Sequence, residues 1–390
     1  MNKQLTTNNT YPKGGVSCSA DSFVVAESFM LRINFCAEKP AHRKYAKHYA
    51  SYSNSIETMK KLIYIFSLLI VYSAFGQTKT AQDFGFRHLV YKYKTDTVNI
   101  LIRSKKGEEN IPKPLFFFCQ GSLPIPLILY QGKDVYGSFP FNPDSLSNKY
   151  HLAIVSKPYI PLIADVTLLK PDFTYTDSTG KFPKEYSDRN LLSYYVPRNV
   201  AIVKYLQQQT CVSTKQLVIA GHSEGSTIAT KMAIELKNAT HLIYSGGNPM
   251  GRILSIIEQN RAYETDTDST RYGEDNINYW ADIVANKDDM NSSKGDTYKA
   301  TFEFSEPMIT YLEKLKIPVL VTYGSKDWSS PYNDLLRVNT IRQNKSNFTF
   351  KAYIATDHNF FPLTNDNQPD YNIFNWDKVA NEWLKWLNGK

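Results

Sequence analysis

The sequence predicts an α/β protein with three layers, in which a mostly parallel central sheet lies between two layers of helices. Short apolar runs such as 115–119 and 217–220 are typical of strands that are buried on both faces. Other segments have apolar residues that recur every three or four positions, which is the spacing of an amphipathic helix. Strands that alternate with helices favour a parallel sheet covered on both sides.

These elements follow one another in a regular order. Residues 88–94 and 97–103 alternate between polar and apolar side chains and predict an antiparallel hairpin at one edge of the sheet. Further strands are predicted at 115–119, 151–156, 217–220, 240–245, 318–323 and 348–354. Helices are predicted at 196–208, directly after residue 225 and from Trp376 onward. The stretch 157–195 is rich in Tyr, Pro and Asp and is interpreted as a long connection.

A long insertion separates two of the predicted strands. Residues 248–315 contain a densely charged segment and then a helical stretch. Insertions of this length are uncommon inside a sheet unless they are functional, so a helical lid or cap is predicted, with a solvated surface addition as the alternative. Asp266-Thr267-Asp268 resembles the start of a calcium loop, but Arg271 stands where glycine is required, so no metal is predicted there.

The first 76 residues are predicted to lie outside the folded domain. A basic start at Met59 precedes an apolar run at 62–71 and a small-residue sequence at 74–76, which is the pattern of a secretory signal peptide. The run is shorter than the roughly 20 residues of a membrane-spanning helix. Because a signal peptide must begin the chain, 1–58 is interpreted as an upstream, non-native translation. The remaining part, 77–390, is therefore predicted to be secreted or periplasmic, with no stable membrane span. An internal buried strand or helix is the alternative.

Charge and cysteine usage exclude several classes of function. Nine of the 45 basic residues and four of the 37 acidic residues precede residue 77, so the rest of the chain has a formal net charge of only +3. This charge is too small to indicate a nucleic-acid partner. No Cys-x-x-Cys pair or His/Cys cluster has the spacing of metal ligands, so no metal is predicted.

The segment 216–226 predicts the chemistry of the protein. Its apolar run is followed by Gly221-His222-Ser223-Glu224-Gly225 and then by helical spacing. Strand, Gly-x-Ser-x-Gly and helix together are the context of a nucleophile elbow. The serine lies on a strained turn, so the residues two before and two after it must be very small. Its hydroxyl stands beside helix N-terminal N–H groups that can hold an oxyanion. An ordinary turn between a strand and a helix is the alternative.

On these residues, the chain resembles the α/β-hydrolase fold family of serine hydrolases over about 85–390. The resemblance implies a catalytic triad in the chain order Ser, Asp or Glu, His, in which the acid and the histidine lie on loops at the C-terminal ends of strands. Ser223 is then the nucleophile. The resulting mechanism requires no cofactor.

Local sequence supplies one histidine and one acid for these roles. Two histidines lie downstream of Ser223. His241 precedes a strand, so it lies at the edge of the sheet opposite to Ser223, whereas His358 follows the last strand and lies at the same edge as Ser223. Asp327 follows the preceding strand and can orient the imidazole. Asp357 is a weaker candidate, because a carboxylate that adjoins His358 normally points away from its ring. A turn-forming Asp327 and a surface imidazole are the non-catalytic alternatives.

Two backbone N–H groups are predicted to form the oxyanion hole. One belongs to Glu224, directly after the nucleophile, and the other to Ser122, in the loop after 115–119. Gly121 is the glycine of this loop, where many relatives have His-Gly and this chain has Gln120-Gly121. A plain tight turn is the alternative for this loop. The side chains of His222 and Glu224 are expected to pack or to line the pocket, with recognition of a substrate amine by the Glu224 carboxylate as a further possibility.

The predicted function is hydrolysis of a carboxylic ester, or a related acyl bond, by a secreted serine hydrolase that forms an acyl-enzyme. Its partner is a small-molecule or peptide acyl substrate. A serine peptidase or aminopeptidase on the same fold is the alternative, because ester and amide cleavage use the same triad. A non-catalytic binding module that kept the fold is the third hypothesis.

Overall fold

The computed structural model describes residues 79–265, 271–291 and 295–389. The predicted signal peptide at 59–76, the upstream segment 1–58 and the triplet at 266–268 lie outside the described residues and stay predictions. Among the residues that are described, no helix has both the length and the apolar character needed to cross a bilayer.

Eleven strands form two sheets in the described part of the chain. In order they are β1 (Arg87–Tyr93), β2 (Asp96–Arg103), β3 (Lys113–Cys119), β4 (Ile128–Gln131), β5 (Asp134–Gly137), β6 (His151–Val155), β7 (Ile163–Asp165), β8 (Val212–His222), β9 (His241–Ser245), β10 (Val319–Gly324) and β11 (Phe348–Tyr353). The central sheet has eight strands in the order β1-β2-β6-β3-β8-β9-β10-β11. The first two pairs in this order are antiparallel and the other five are parallel.

The helices are distributed along the chain between these strands. They are α1 (Asp144–Ser147), α2 (Lys184–Ser187), α3 (Leu192–Gln207), α4 (Glu224–Glu235), α5 (Arg252–Arg261), α6 (Tyr272–Ala285), α7 (Tyr298–Phe304), α8 (Ile309–Lys314), α9 (Ser330–Arg342) and α10 (Trp376–Asn388). Short 3-10 turns occupy Ala81–Phe84 and Val166–Leu168. The described part of 248–315 thus contains α5 to α8.

Both faces of the central sheet are buried, as the apolar runs predict. Along β3, Leu115 and Phe117 pack with α3 and α4 on one face, whereas Phe116 and Phe118 pack with α10 on the other. Successive side chains of a strand point to opposite faces, so a strand without polar residues requires a cover on each side. The three-layer, mostly parallel α/β fold predicted from the sequence is confirmed.

The stretch 157–195 differs from the predicted long connection. It contains β7, which pairs with β4 in a separate three-stranded sheet that also includes β5. Helix α3 also begins at Leu192 rather than at 196, with Pro197 inside it. The carboxylate of Glu303 on α7 accepts hydrogen bonds from the Ser193 N–H and hydroxyl, both at 2.8 Å. This contact from a distant element satisfies donors at the start of the helix, which local sequence does not reveal.

Candidate active site

The parallel strands bring four loops to one edge of the central sheet. The loops after β3, β8, β10 and β11 contain Ser122, Ser223, Asp327 and His358, respectively. In a parallel sheet, the C-terminal ends of the strands share an edge, where ligands of such folds bind. His241 begins β9 and so lies at the opposite edge.

Ser223 occupies a strained turn between β8 and α4. Its backbone has φ 58° and ψ −127°, in a region that a non-glycine residue seldom adopts and that costs about 1–3 kcal/mol. Hydrogen bonds hold the turn: the Ser223 N–H donates to the Ser245 carbonyl at 2.8 Å. The Ser223 carbonyl accepts from the Ser226 N–H at 3.0 Å and from its hydroxyl at 2.6 Å. The surrounding structure therefore fixes the direction of the serine side chain.

Two glycines are required by close backbone contacts at this turn. A Cβ on Gly221 would lie 2.0 Å from the carbonyl oxygen of Gly225, and a Cβ on Gly225 would lie 2.0 Å from that of Cys119. Gly121 is different, because the nearest atom to its Cβ would be Ser223 Cβ at an ordinary 3.7 Å. Any side chain at the two glycines of the Gly-x-Ser-x-Gly motif would thus clash with backbone atoms, whereas the space around Gly121 could hold a Cβ atom.

Asp327 and His358 are joined by a hydrogen bond of 2.9 Å between Oδ2 and Nδ1. The carboxylate is buried and also accepts from the Ser329 N–H at 3.0 Å. Burial opposes ionisation of Asp327, but the charge and hydrogen bond of His358, together with Ser329, lower its pKa below the ordinary value. Burial likewise disfavours the imidazolium of His358, yet the Asp327 charge outweighs it and raises the His358 pKa. With Nδ1 bonded to Asp327, the other ring nitrogen of His358, Nε2, is left to accept a proton.

The rival carboxylate Asp357 is engaged within its own loop. Its Oδ1 accepts hydrogen bonds from the N–H groups of Asn359 at 2.9 Å and Phe361 at 2.8 Å. Backbone contacts also tie this loop to that of Asp327, since the Lys326 N–H donates to the Thr356 carbonyl at 2.9 Å. Asp357 therefore shapes the loop that carries the histidine.

His222, the residue before the nucleophile, packs against the ring of His358. Their ring centroids are 4.9 Å apart, and His222 Nδ1 lies 3.1 Å from the Ser245 hydroxyl oxygen. Burial, reinforced by the neighbouring His358, lowers the pKa of His222 to about 3. His222 is thus a neutral ring that supports His358. The sequence predicted that the His222 side chain packs or lines the pocket, without indicating that its neighbour is His358.

Ser122, Ser223, Glu224, Asp327 and His358 line a single cavity of about 290 Å³. Among the described residues, the Ser223 hydroxyl and the His358 imidazole share this cavity without a hydrogen bond between them. Catalytic hydrogen bonds are often long in unliganded enzymes and tighten when substrate binds. The structure therefore brings all five predicted side chains or backbone donors to one cavity and joins two of them directly.

The predicted oxyanion donors flank Ser223 within this cavity. Glu224 is the first residue of α4, where N–H groups have no partner inside the helix. The loop of Ser122 is anchored on both sides: Gln120 Nε2 donates to the Val155 carbonyl at 2.7 Å, and the Tyr186 hydroxyl donates to the Ser122 carbonyl at 3.0 Å. Gln120, the departure from the His-Gly pattern, fixes this loop to the neighbouring strand.

The Glu224 side chain belongs to a largely buried group of charges. Its carboxylate pairs with Lys157 at 3.1 Å and with Arg252 of α5 at 3.3 Å, and Arg252 also pairs with Asp296 at 2.8 Å. Burial, with a contribution from nearby Arg198, lowers the pKa of Lys157 despite the attraction of Glu224. Both Glu224 oxygens are engaged, so the carboxylate is not free to bind a substrate amine. Within the described residues, no group of His, Cys, Asp and Glu could hold a metal ion.

One face of helix α5 lines the same cavity. Arg252, Ser255, Ile256 and Gln259 recur at helical spacing on that face, and Phe304 of α7 lies beside them. Arg252 and Ile256 also line a second cavity of about 410 Å³ between α5 and α6. The helical spacing in 252–259 was present in the sequence, but nothing there indicated which face meets Ser223.

The sheet order and the strand-serine-helix turn define the class: the described chain has the α/β-hydrolase fold. No protein-family model matches the sequence, and no curated protein matches it. Solved structures that are similar include Est1E from Butyrivibrio proteoclasticus, with 15% identity over 78% of this chain and 99% of that chain at a TM-score of 0.44. Another is a carboxyl esterase from Bacillus coagulans, with 16% identity over 78% and 98% at a TM-score of 0.42.

A third similar structure is an acylaminoacyl peptidase from Pyrococcus horikoshii, with 12% identity over 74% of this chain and a TM-score of 0.44. The match spans only 39% of the length of that peptidase. Esterases and peptidases thus both occur among the similar folds. A shared fold does not by itself assign a reaction to this chain.

Proposed function

We propose that the protein is an exported serine hydrolase that cleaves a carboxylic ester through Ser223, His358 and Asp327. The observation that carries the proposal is the 2.9 Å Asp327–His358 hydrogen bond in the cavity lined by the strained Ser223. A nucleophile, a base and a group that orients the base are the three parts that acyl transfer requires.

The proposed reaction has two halves. His358 Nε2 takes the proton of Ser223 as Oγ attacks the acyl carbon, and it returns this proton to the leaving alcohol when the C–O bond breaks. Water, deprotonated by the same nitrogen, then attacks the acyl-enzyme. The bond between the acyl carbon and Ser223 Oγ breaks, the proton on His358 returns to Oγ, and the acid is released. Asp327 stays ionised, because its pKa is lowered, and stabilises the imidazolium in both halves.

Two features stabilise the negative charge that develops on the carbonyl oxygen. The N–H groups of Glu224 and Ser122 supply hydrogen-bond donors, and their loops are held before substrate arrives. Loss of one such donor costs other enzymes about 10²–10³ in kcat. Lys157 and Arg252 neutralise the Glu224 side chain, so its charge does not oppose the oxyanion.

A fluorophosphonate probe tests the nucleophile. Wild-type protein should be labelled at Ser223, and Ser223→Ala should abolish labelling without a change in melting temperature. Ser213→Ala is a matched control, because Ser213 lies on the same strand at its opposite end. An unlabelled but folded wild-type protein would favour the binding-module hypothesis.

The bond that is cleaved requires a separate panel. p-Nitrophenyl esters of short acids should be turned over faster than aminoacyl and dipeptidyl p-nitroanilides. One structural feature supports this order: Glu224 is enclosed by its ion pairs and offers no free carboxylate for a substrate amine. Dominant amidase turnover would instead establish the peptidase alternative.

Export is proposed from the signal-peptide pattern at 59–76. Expression from Met59 in a bacterial host should give a periplasmic or secreted protein whose N-terminus lies near Gln77. N-terminal sequencing of the fractionated protein checks this. A cytoplasmic protein that retains 59–76 would show the export proposal to be wrong and leave the proposed chemistry unaffected.

A further inference from the structure

The charges beside the oxyanion donors do not balance. Lys157, Arg252, Glu224 and Asp296 form a chain of ion pairs with equal numbers of cations and carboxylates. Arg198 adds a third cation. It is buried, stacks with Lys157 on the ring of Tyr195 at 4.8 and 4.7 Å, respectively, and has no carboxylate partner among the described residues.

Arg198 is held by neutral groups only. Its Nε donates to Asn199 Oδ1 at 3.0 Å, and one terminal nitrogen donates to the Ser156 carbonyl at 3.3 Å. A guanidinium stays protonated even when burial lowers its pKa. The three basic side chains of the cluster therefore outnumber its two carboxylates by one. Because the cluster is largely buried, water and salt screen it much less than a surface charge.

Arg252 brings this positive charge to the cavity wall. Among the described residues that line the cavity, it is the only Lys or Arg. The two acids of the lining, Glu224 and Asp327, are each already paired with a cation or with His358. The remaining polar lining consists of neutral side chains, including Ser255 and Gln259.

The guanidinium of Arg252 also retains donors. Its NH1 donates to Glu224 and Asp296, whereas the single contact of its NH2 within the described part of the chain is to the Thr301 hydroxyl at 3.4 Å. The side chain is 22% exposed, so part of it is accessible to a bound molecule. A terminal nitrogen that makes one long hydrogen bond to a neutral hydroxyl can still donate a second, charge-assisted hydrogen bond to a carboxylate.

On the basis of the proposed function, we propose that Arg252 is a specificity-determining residue that binds a carboxylate of the substrate. The preferred substrate class is an acyl ester whose acid part has a second, free carboxylate, as in a hemiester of a dicarboxylic acid. Ile256, Phe304 and Trp328 supply apolar wall for the carbons between the two ends of such an acid. A purely structural Arg252, which only joins α5 to α4, predicts no such preference.

Three p-nitrophenyl esters of matched chain length test the proposal on wild-type protein. Their acyl chains end in a carboxylate, a methyl group or an ammonium group, as in the glutaryl, pentanoyl and 4-aminobutyryl esters. The expected order of kcat/KM is carboxylate, then methyl, then ammonium, with at least about a tenfold advantage of the first over the second. A methyl chain that is hydrolysed as well as or better than the carboxylate chain would overturn the proposal.

Variants assign the preference to Arg252. Arg252→Gln should lower the carboxylate-to-methyl ratio of kcat/KM by about 10- to 100-fold, the range expected for a lost hydrogen bond to a charged group. Both esters are measured on the same protein, so partial unfolding cancels in the ratio. Arg261→Gln, an exposed change on the same helix, should leave the ratio unchanged. A ratio that Arg252→Gln does not alter contradicts the assignment, and if that variant does not fold, Arg252→Lys is measured in its place.

A binding measurement separates this proposal from the proposed catalysis. Glutarate should bind the folded Ser223→Ala protein more tightly than pentanoate, by at least about tenfold, and Arg252→Gln should remove the difference. Failure of fluorophosphonate labelling together with selective glutarate binding would reject the hydrolase and keep the carboxylate site. Labelling without selective glutarate binding would reject the carboxylate site alone.

Discussion

The elbow around Ser223 and the helices of 248–315 border the same cavity but are encoded differently. The residue types that identify the elbow lie within 221–225, and its two glycines are required by backbone contacts at 2.0 Å, one inside the elbow and one with Cys119 on β3. Helix α5 instead reaches the cavity through ion pairs from Arg252 to Glu224 and Asp296, 28 and 44 positions away. The sequence motif alone therefore identifies the elbow, whereas the position of α5 at the cavity can be identified only from its tertiary contacts.

This difference predicts how each region responds to substitution. A change at the elbow meets rigid backbone and has no local way to relax, so its effect should be large. A change in the α5 contacts removes one member of a distributed group and should have a smaller effect on folding.

Asp327→Asn should cause the largest loss of activity, about 10⁴-fold in kcat for the preferred ester, because the imidazole loses the partner that fixes its tautomer and charge. Steady-state kinetics on folded protein checks this. Asp357→Asn is the matched control: its carboxylate serves only its own loop, so we expect less than about a tenfold change. If the control were the more damaging variant, the identity of the acid would be wrong.

Gly225→Ala should cost about 3 kcal/mol or more in the free energy of unfolding, since the new methyl would meet the carbonyl of Cys119 at 2.0 Å. Denaturant melts measure this. Gly121→Ala places its methyl no closer than 3.7 Å to other atoms, so its cost should be below about 1 kcal/mol. Equal losses in the two variants would show that the elbow is not sterically closed.

The central sheet was predictable because buried strands leave a local pattern. The apolar run of β3 and the Gly-x-Ser-x-Gly turn after β8 are visible in a few residues each, and topology then brings Asp327 and His358 to the same edge. Short β7 and the start of α3 were not predictable. Three residues are too few to show a periodic pattern of side chains, and the helix predicted at 196–208 begins four residues earlier, at Leu192, with Pro197 inside it.

The contacts that complete the site were also beyond the sequence. Lys157 follows β6 and lies 67 positions from Glu224, and no spacing rule connects them. Likewise, the 4.9 Å packing of His222 on His358 depends on where the loop after β11 lies. Local patterns thus predicted the candidate reacting groups, whereas the charged and aromatic side chains around them became evident only from the fold.

Glu303→Gln tests a tertiary contact of this second kind. Its carboxylate accepts two hydrogen bonds from Ser193 in the first turn of α3, so its loss should cost about 1 kcal/mol of stability. A double-mutant cycle with Ser193→Ala, measured by denaturant unfolding, isolates the contact. A coupling energy below about 0.3 kcal/mol would mean that the long-range contact does not stabilise this helix.

The smallest expected effect concerns the pH dependence of activity. The proposed mechanism requires neutral His358, whose pKa is raised by Asp327, so kcat/KM should rise with pH along an acid limb whose midpoint lies above about 6.5. His222 has a pKa of about 3 and stays neutral over this range. His222→Phe should therefore shift the midpoint of the acid limb by less than about 0.3 pH units. The limb should keep the slope expected for the titration of a single proton.

The same proton has opposite effects on activity and on folding. Because the folded pKa of His358 lies above its unfolded value, its contribution to stability is complete below the unfolded pKa and is lost as pH rises through the folded pKa. Activity should thus increase over the pH interval in which this contribution declines. Parallel kcat/KM and unfolding titrations of wild type and His222→Phe measure both. A two-proton acid limb that becomes one-proton in the variant would show that His222 titrates with His358.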